Sequence, residues 1–247
     1  MTTEKNNGFL HNLRYFPRTF FVIVILVITT FPIAAIIYLL TFITKDQQLF
    51  TFLIRVWANL NLWVSGLKIN VTGLKNIDKK KQYIVIANHE SALDIFLGLG
   101  KLPLQIRMVS KIGVKKLPIV GELMTRLFFV FVDRTNTKES VKNLNETMKK
   151  ITQHNISLFI FPEGTRIKDV SLLPFKKGAF VLGIKNNLPI LPIVFRNTGG
   201  ITPPHTIWVR KRKVDVDILP EVSTNDLNIK DLEKLRDKCY NIFKSNL

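Results

Sequence analysis

The stretch YIVIANHESALDI, residues 83–95, decides how this chain is read. Five residues, Tyr83–Ala87, form a short apolar run of the kind that makes a buried strand. The run delivers His89 to its carboxyl end, and Ser91-Ala-Leu-Asp94 then has the spacing of a helix capping box. A loop histidine followed by a carboxylate on the first helical turn can be gripped through one ring nitrogen. That fixes the tautomer and leaves the other nitrogen as a base. The same residues also read as a surface histidine and an ordinary helix cap, so the choice rests on what other segments bring to this spot.

Working outward, short apolar runs alternate with helical segments from Gly66 onward. Strands are expected over Lys68–Val71, Tyr83–Ala87, Ile106–Val109, Phe128–Val132, Leu158–Phe161, Ile190–Phe195, Ile207–Arg210 and Val214–Ile218. Helices are expected over Lys138–Gln153, where Val141, Leu144, Met148 and Ile151 share a face, and near the C-terminus, where Leu232, Leu235, Cys239 and Ile242 do. Ser223 and Asp226 have capping-box spacing for that last helix. The alternation predicts an α/β domain over residues 66–247, with a mixed, largely buried β-sheet flanked by helices. Cys239 falls on the packed face, and as the single cysteine it rules out an internal disulfide.

Residues 1–65 are of another kind. Thr19–Thr44 contains 26 residues without a charge. As a helix it would extend about 39 Å, against a hydrocarbon core of about 30 Å. Pro32, near its middle, can bend it. A second apolar piece, Leu49–Val64, carries Arg55, Trp57 and Trp63, residues suited to an interface. Basic flanks at Arg14, Arg18, Lys45 and Arg55 give no clean orientation. Residues 1–65 therefore read as a membrane-embedded helical hairpin or a span, with the hairpin favoured and the remainder on the cytoplasmic side of the cell's inner membrane.

Lysine and arginine outnumber aspartate and glutamate 36 to 18, a net charge of +18. Such an excess calls for an anionic partner. Eighteen phenylalanines and the apolar N-terminus favour a lipid surface over nucleic acid. Three further strand ends carry chemistry. FPEGTR (161–166) combines a tight turn, Gly164 for close backbone approach, and Arg166, whose guanidinium fork suits phosphate. FFVFVDRT (128–135) presents Arg134, and MVSKIGVKKLPIVG (108–121) places Lys111 just past a strand. Strands ending together in charged groups are the mark of an open α/β sheet with one active edge. No G-x-S-x-G elbow, phosphate loop, dinucleotide fingerprint, metal-ligand cluster or activated thiol is present. A base with cationic phosphate binders suits activation of a hydroxyl on a phosphorylated acceptor. A non-catalytic lipid- or nucleic-acid-binding protein, or a hydrolase, would make less use of this set.

NHESALD (88–94), FVDR (131–134), FPEGTR with LLPFKKGAF (172–180), and LPILPIV (188–194) resemble, in order, the four sequence blocks of the glycerolipid acyltransferases. The likeness covers roughly residues 66–200 and is closest to the 1-acyl-glycerol-3-phosphate (lysophosphatidic acid) acyltransferases. It implies acyl transfer from an acyl carrier protein or coenzyme A thioester to the sn-2 hydroxyl of 1-acyl-glycerol 3-phosphate, forming phosphatidic acid for phospholipid biosynthesis. The alternative is another acceptor, a different lysophospholipid or glycerol 3-phosphate. His89 would be the base and Asp94 its orienter. Glu163, Gly164 and Thr165 would line the acceptor site, with the Gly164 amide offered to the oxyanion. Arg166, Lys111 and Arg134 would hold the phosphate. No metal or cofactor is expected beyond the thioester donor. The partners would be membrane lipids and that donor, with no nucleic acid.

Overall fold

A computed structural model describes residues 14–133, 137–166, 172–202, 206–210 and 212–247. Seven strands form one sheet in the order β1-β7-β6-β2-β5-β3-β4. They are β1 Lys68–Thr72, β2 Ile84–Ala87, β3 Ile106–Lys111, β4 Val130–Val132, β5 Ser157–Ile160, β6 Ile190–Arg196 and β7 Lys213–Ile218. Every pairing is parallel except that of β6 with β7. The central strand β2 is wholly buried, as its unbroken apolar run requires.

The helices are α1 Phe16–Ile43, α2 Gln47–Val64, α3 Asp94–Lys101, α4 Val120–Arg126, α5 Thr137–Gln153, α6 Gly178–Asn186 and α7 Leu232–Asn246. They cover the sheet on both faces. One apolar cluster joins α1–α4 to Val85, Met108 and Phe159, and a second joins α5–α7 to Ile84, Ile86 and Leu158. In α5, Met148 and Ile151 are buried as the spacing predicts, while the Val141 side chain lies outside the described residues. Gly98 lets α3 lie directly on the sheet. A Cβ there would stand 2.7 Å from Met108 Cε and 2.9 Å from Phe159 Cε2. In α7, Cys239 is fully buried, and burial pushes its thiol up to about 12.

α1 runs through Pro32 without a break, rather than bending into two shorter helices. At 28 residues it is, among the described residues, the one helix long and apolar enough to cross a membrane. Hydroxyls near the proline join it to α2: Trp57 Nε1 donates to Thr30 Oγ1 at 3.1 Å, and Asn61 Nδ2 to Thr29 Oγ1 at 3.4 Å.

α2 departs from an interfacial role for Arg55 and Trp57. Arg55 donates to the carbonyls of Leu102 and Leu104, both at 3.0 Å, and Trp57 packs on Phe96 with ring centroids 5.0 Å apart. Trp63 alone of the three is strongly exposed. α2 is fastened further by Arg107, fully buried on β3. Its guanidinium reaches Gln47 Oε1 at 2.9 Å, Thr51 Oγ1 at 3.0 Å and the Leu127 carbonyl at 2.6 Å. Burial lowers this group to about 9, which leaves it charged at neutral pH.

Three expectations fail locally. Ile207–Arg210 is not a strand: Val209 N–H instead donates to Thr19 Oγ1 of α1 at 2.9 Å. β4 begins at Val130 rather than Phe128, because Phe128 takes φ 66° and closes α4 through a 3.2 Å bond from its N–H to Thr125 O. The last helix is preceded by a capping box of Asn228 with Asp231, not Ser223 with Asp226.

Candidate active site

β2, β5 and β3 are parallel neighbours, so the residues following them emerge at one edge of the sheet. His89 stands two residues past β2, the FPEGTR turn follows β5, and Lys111 ends β3. His89 Nδ1 lies 2.9 Å from Asp94 Oδ2. The carboxylate is 0 % exposed, and the same oxygen accepts the N–H groups of Glu90 and Ser91, both at 2.8 Å. α3 begins at Asp94 with Leu93 as its N-cap and no side-chain cap, so Ser91 and Asp94 do not form its capping box: the carboxylate instead gathers the amides of the loop before the helix and holds the ring. The imidazole stacks on Phe161 at 3.9 Å between centroids, 14° from parallel. With Nδ1 engaged, Nε2 is left for a substrate.

His89, Lys111, Gly164, Thr165 and Arg166 all line one cavity of about 780 Å³, which Lys176 also lines. Apart from Thr30 and Ser110 its remaining wall is largely apolar, including Ile33, Ala34 and Ile37 of α1, Ile54 and Trp57 of α2, and Leu123 and Met124 of α4. The cavity therefore joins a base and three cations to an apolar compartment to which both N-terminal helices contribute. Arg134 lies outside the described residues. Among the described residues, no cluster suited to a metal ion occurs.

Two residues hold places other than those expected. Glu163 does not line the cavity. It is buried, its Oε1 accepts the His89 N–H at 3.0 Å, and its Oε2 accepts the Leu173 N–H at 3.0 Å. It therefore fastens the β5 turn to the base's own backbone. The Gly164 amide donates to Phe161 O at 3.0 Å, closing the turn, and so is already used rather than aimed at an oxyanion. Gly164 takes φ 72°, and a Cβ there would meet the Lys176 side chain at 2.7 Å.

A supporting layer behind the base was not foreseen. Asn88 Oδ1 accepts from Phe195 N at 2.8 Å, and its Nδ2 donates to Phe195 O at 2.8 Å, so a side chain continues the β2–β6 ladder beyond Ala87. Glu90 Oε2 accepts the Gly199 N–H at 2.8 Å. The one linear hint was a polar residue extending a fully apolar strand.

Burial raises the Glu163 carboxyl to about 7, with Glu90 and Asp94 pushing the same way and the two backbone N–H bonds opposing. The native state therefore keeps a proton, between the ordinary carboxyl range and pH 7, that the unfolded chain has released. Stability from this group is full below the unfolded pKa and falls as pH rises through about 7, by at most about 3 kcal/mol. Glu163→Gln should flatten that slope. Thermal unfolding in detergent at pH 5 and pH 7 should show the wild type losing stability between them and the variant losing much less.

A family model described as Acyltransferase matches residues 68–196. The chain is 32 % identical over 190 residues to the 1-acyl-sn-glycerol-3-phosphate acyltransferase of Limnanthes douglasii, covering 77 % of this chain and 67 % of that protein. It is 36 % identical over 186 residues to that of Saccharomyces cerevisiae, covering 72 % of this chain and 61 % of that protein. The crystal structure of the 1-acyl-sn-glycerophosphate (LPA) acyltransferase PlsC from Thermotoga maritima shares the fold, with a TM-score of 0.81 at 24 % identity over 95 % of each chain. A family model spanning more than half the chain, together with these identities, makes it an acyltransferase, a member of the 1-acyl-sn-glycerol-3-phosphate acyltransferase family.

Proposed function

We propose that this enzyme transfers a fatty acyl group from an acyl carrier protein or coenzyme A thioester to the sn-2 hydroxyl of 1-acyl-sn-glycerol 3-phosphate, forming phosphatidic acid for phospholipid synthesis. The observation that carries the reading is that His89, held from behind by Asp94, lines one cavity with Lys111, Arg166, Lys176 and an apolar wall. In the reaction, His89 Nε2 takes the hydroxyl proton as the acceptor oxygen bonds to the thioester carbonyl carbon. The carbon–sulfur bond then breaks, and the leaving thiolate recovers the proton from the imidazolium. Asp94 stabilises that cation and keeps Nδ1–H directed at itself. Donor and acceptor meet in one complex, so no acyl-enzyme forms and no metal or cofactor is needed.

Three cations and, among the described residues, no cavity-lining carboxylate suit the phosphate monoester, and the apolar wall suits acyl chains. α1, with its exposed apolar side chains, would hold the cavity at the cytoplasmic face of the inner membrane, where acceptor and product both reside. An acceptor panel with purified protein, run with both thioester types, tests substrate choice. Arg166→Ala should raise the KM for the lysophospholipid about tenfold or more, as expected for loss of a charged hydrogen bond worth roughly 1.5–3 kcal/mol. A change confined to the thioester dependence would remove Arg166 from the phosphate site.

A further inference from the structure

The connection from β3 to α4 carries a feature the catalytic reading does not use. A 3-10 turn, Ile112–Lys116, leads into Leu117-Pro118-Ile119 at the start of α4. Leu117 and Ile119 are 47 % and 44 % exposed, and Lys115 and Lys116 beside them are exposed too. Lys115 Nζ lies 6.0 Å from the Phe131 ring centroid. Two aliphatic side chains thus stand in solvent next to two ammonium groups.

The tip is firmly built. Leu117 N–H donates to Val114 O at 3.1 Å and Gly121 N–H to Leu117 O at 2.9 Å. A Cβ on Gly121 would fall 2.0 Å from the Lys115 carbonyl oxygen. Ile119 is held at φ 61°, ψ −53°, which a β-branched residue adopts only where its surroundings force it. The fold therefore presents this exposed pair in one fixed arrangement.

Its position is informative. Val114 and Val120, on either side of the tip, line the 780 Å³ cavity. α4 packs against α1, where Arg126 stacks on Tyr38 and Phe42 at 4.8 and 4.5 Å from their centroids. α1 is itself exposed and apolar through Ile36, Leu39, Phe42 and Ile43. The tip consequently adjoins the helix already fitted to a membrane.

We infer that the Lys115–Ile119 tip is a second membrane-contacting element, a wedge that sinks Leu117 and Ile119 below the headgroups of an anionic leaflet while the lysines meet its phosphates. The wedge sets the rim of the cavity against the lipid, independently of which acceptor the enzyme uses. An acidic soluble partner would match the lysines but would leave no reason for two bare aliphatic groups beside α1; a bilayer satisfies both.

Cys239, the only cysteine, is buried, so Leu117→Cys supplies a single accessible thiol. The full chain carrying an environment-sensitive fluorophore there is reconstituted into vesicles of equal parts phosphatidylcholine and phosphatidylglycerol. Ile229→Cys serves as reference, since Ile229 is 50 % exposed beside α7, on the opposite face of the sheet from α1. The 117 label should emit to the blue, be quenched by bromine on the acyl chains, and be several-fold less accessible to aqueous iodide than the 229 label. Ile119→Cys gives a second reading should the first variant fold poorly. Equal iodide quenching at 117 and 229, without quenching by brominated lipid, would overturn the inference, whether the tip then faced water or a soluble protein.

Discussion

His89→Ala is expected to lower turnover by roughly 10²–10⁴ while leaving the KM for the lysophospholipid near its wild-type value. The expectation follows from the division of labour at the sheet edge. The proton acceptor is one imidazole, whereas the cations that would hold the phosphate come from the ends of β3 and β5 and from the segment before α6. Removing the ring forfeits its stacking on Phe161, worth about 0.5–1.5 kcal/mol. Asp94 keeps both of its backbone donors, Glu90 N and Ser91 N, so the local fold survives. Purified protein should show an unchanged circular-dichroism spectrum and a small drop in melting temperature beside the loss of rate. Wild-type turnover in the alanine variant would remove His89 from the chemistry.

Asp94→Asn should also cost roughly 10²–10⁴ in kcat, by a different route. A carboxamide can turn its NH₂ toward Nδ1, which selects the tautomer with the proton on Nε2 and abolishes the base. That rotamer also sets the NH₂ against the N–H groups of Glu90 and Ser91, which meet the same position; if the oxygen turns there instead it keeps all three contacts, but the NH₂ falls in the buried place of Oδ1, which has no hydrogen-bond partner. Either choice forfeits stability, by about 1–3 kcal/mol for an unsatisfied buried group. The variant should therefore melt lower than His89→Ala while binding the acceptor normally. Rate loss with the stability of the wild type would show that the Asp94 side chain is not enclosed as described, since neither orientation of the carboxamide could then leave a buried donor unmet.

Much of this arrangement is written in linear order, and the parts that are not have physical reasons. Tyr83–Ala87 announces a buried strand because nothing in it tolerates water, and His89 to Asp94 is a local contact across a single turn. The short apolar run at Ile207–Arg210 misleads because Val209 packs with α1 and gives its N–H to Thr19 there, instead of pairing with a neighbouring strand. A carboxylate in a tight turn after a strand invites a substrate role, yet Glu163 is spent on amides 74 and 10 residues away in sequence, His89 and Leu173. Asn88 likewise acts on Phe195, 107 residues on. Side chains that serve the backbone of a distant strand leave no trace in spacing. The same holds for α2: Arg55 and Trp57 resemble interface residues until the carbonyls of Leu102 and Leu104 and the ring of Phe96 are placed beside them.

The central claim is that one imidazole deprotonates a lipid hydroxyl whose phosphate is held by neighbouring cations. A crystal structure of the enzyme with 1-acyl-glycerol 3-phosphate and an unreactive thioester analogue tests it most directly. The expected result puts the free hydroxyl within roughly 2.6–3.2 Å of His89 Nε2, with the phosphate against Arg166, Lys111 and Lys176. An acceptor bound with its hydroxyl away from that nitrogen, or with its phosphate outside the cavity that those three residues line, would contradict it.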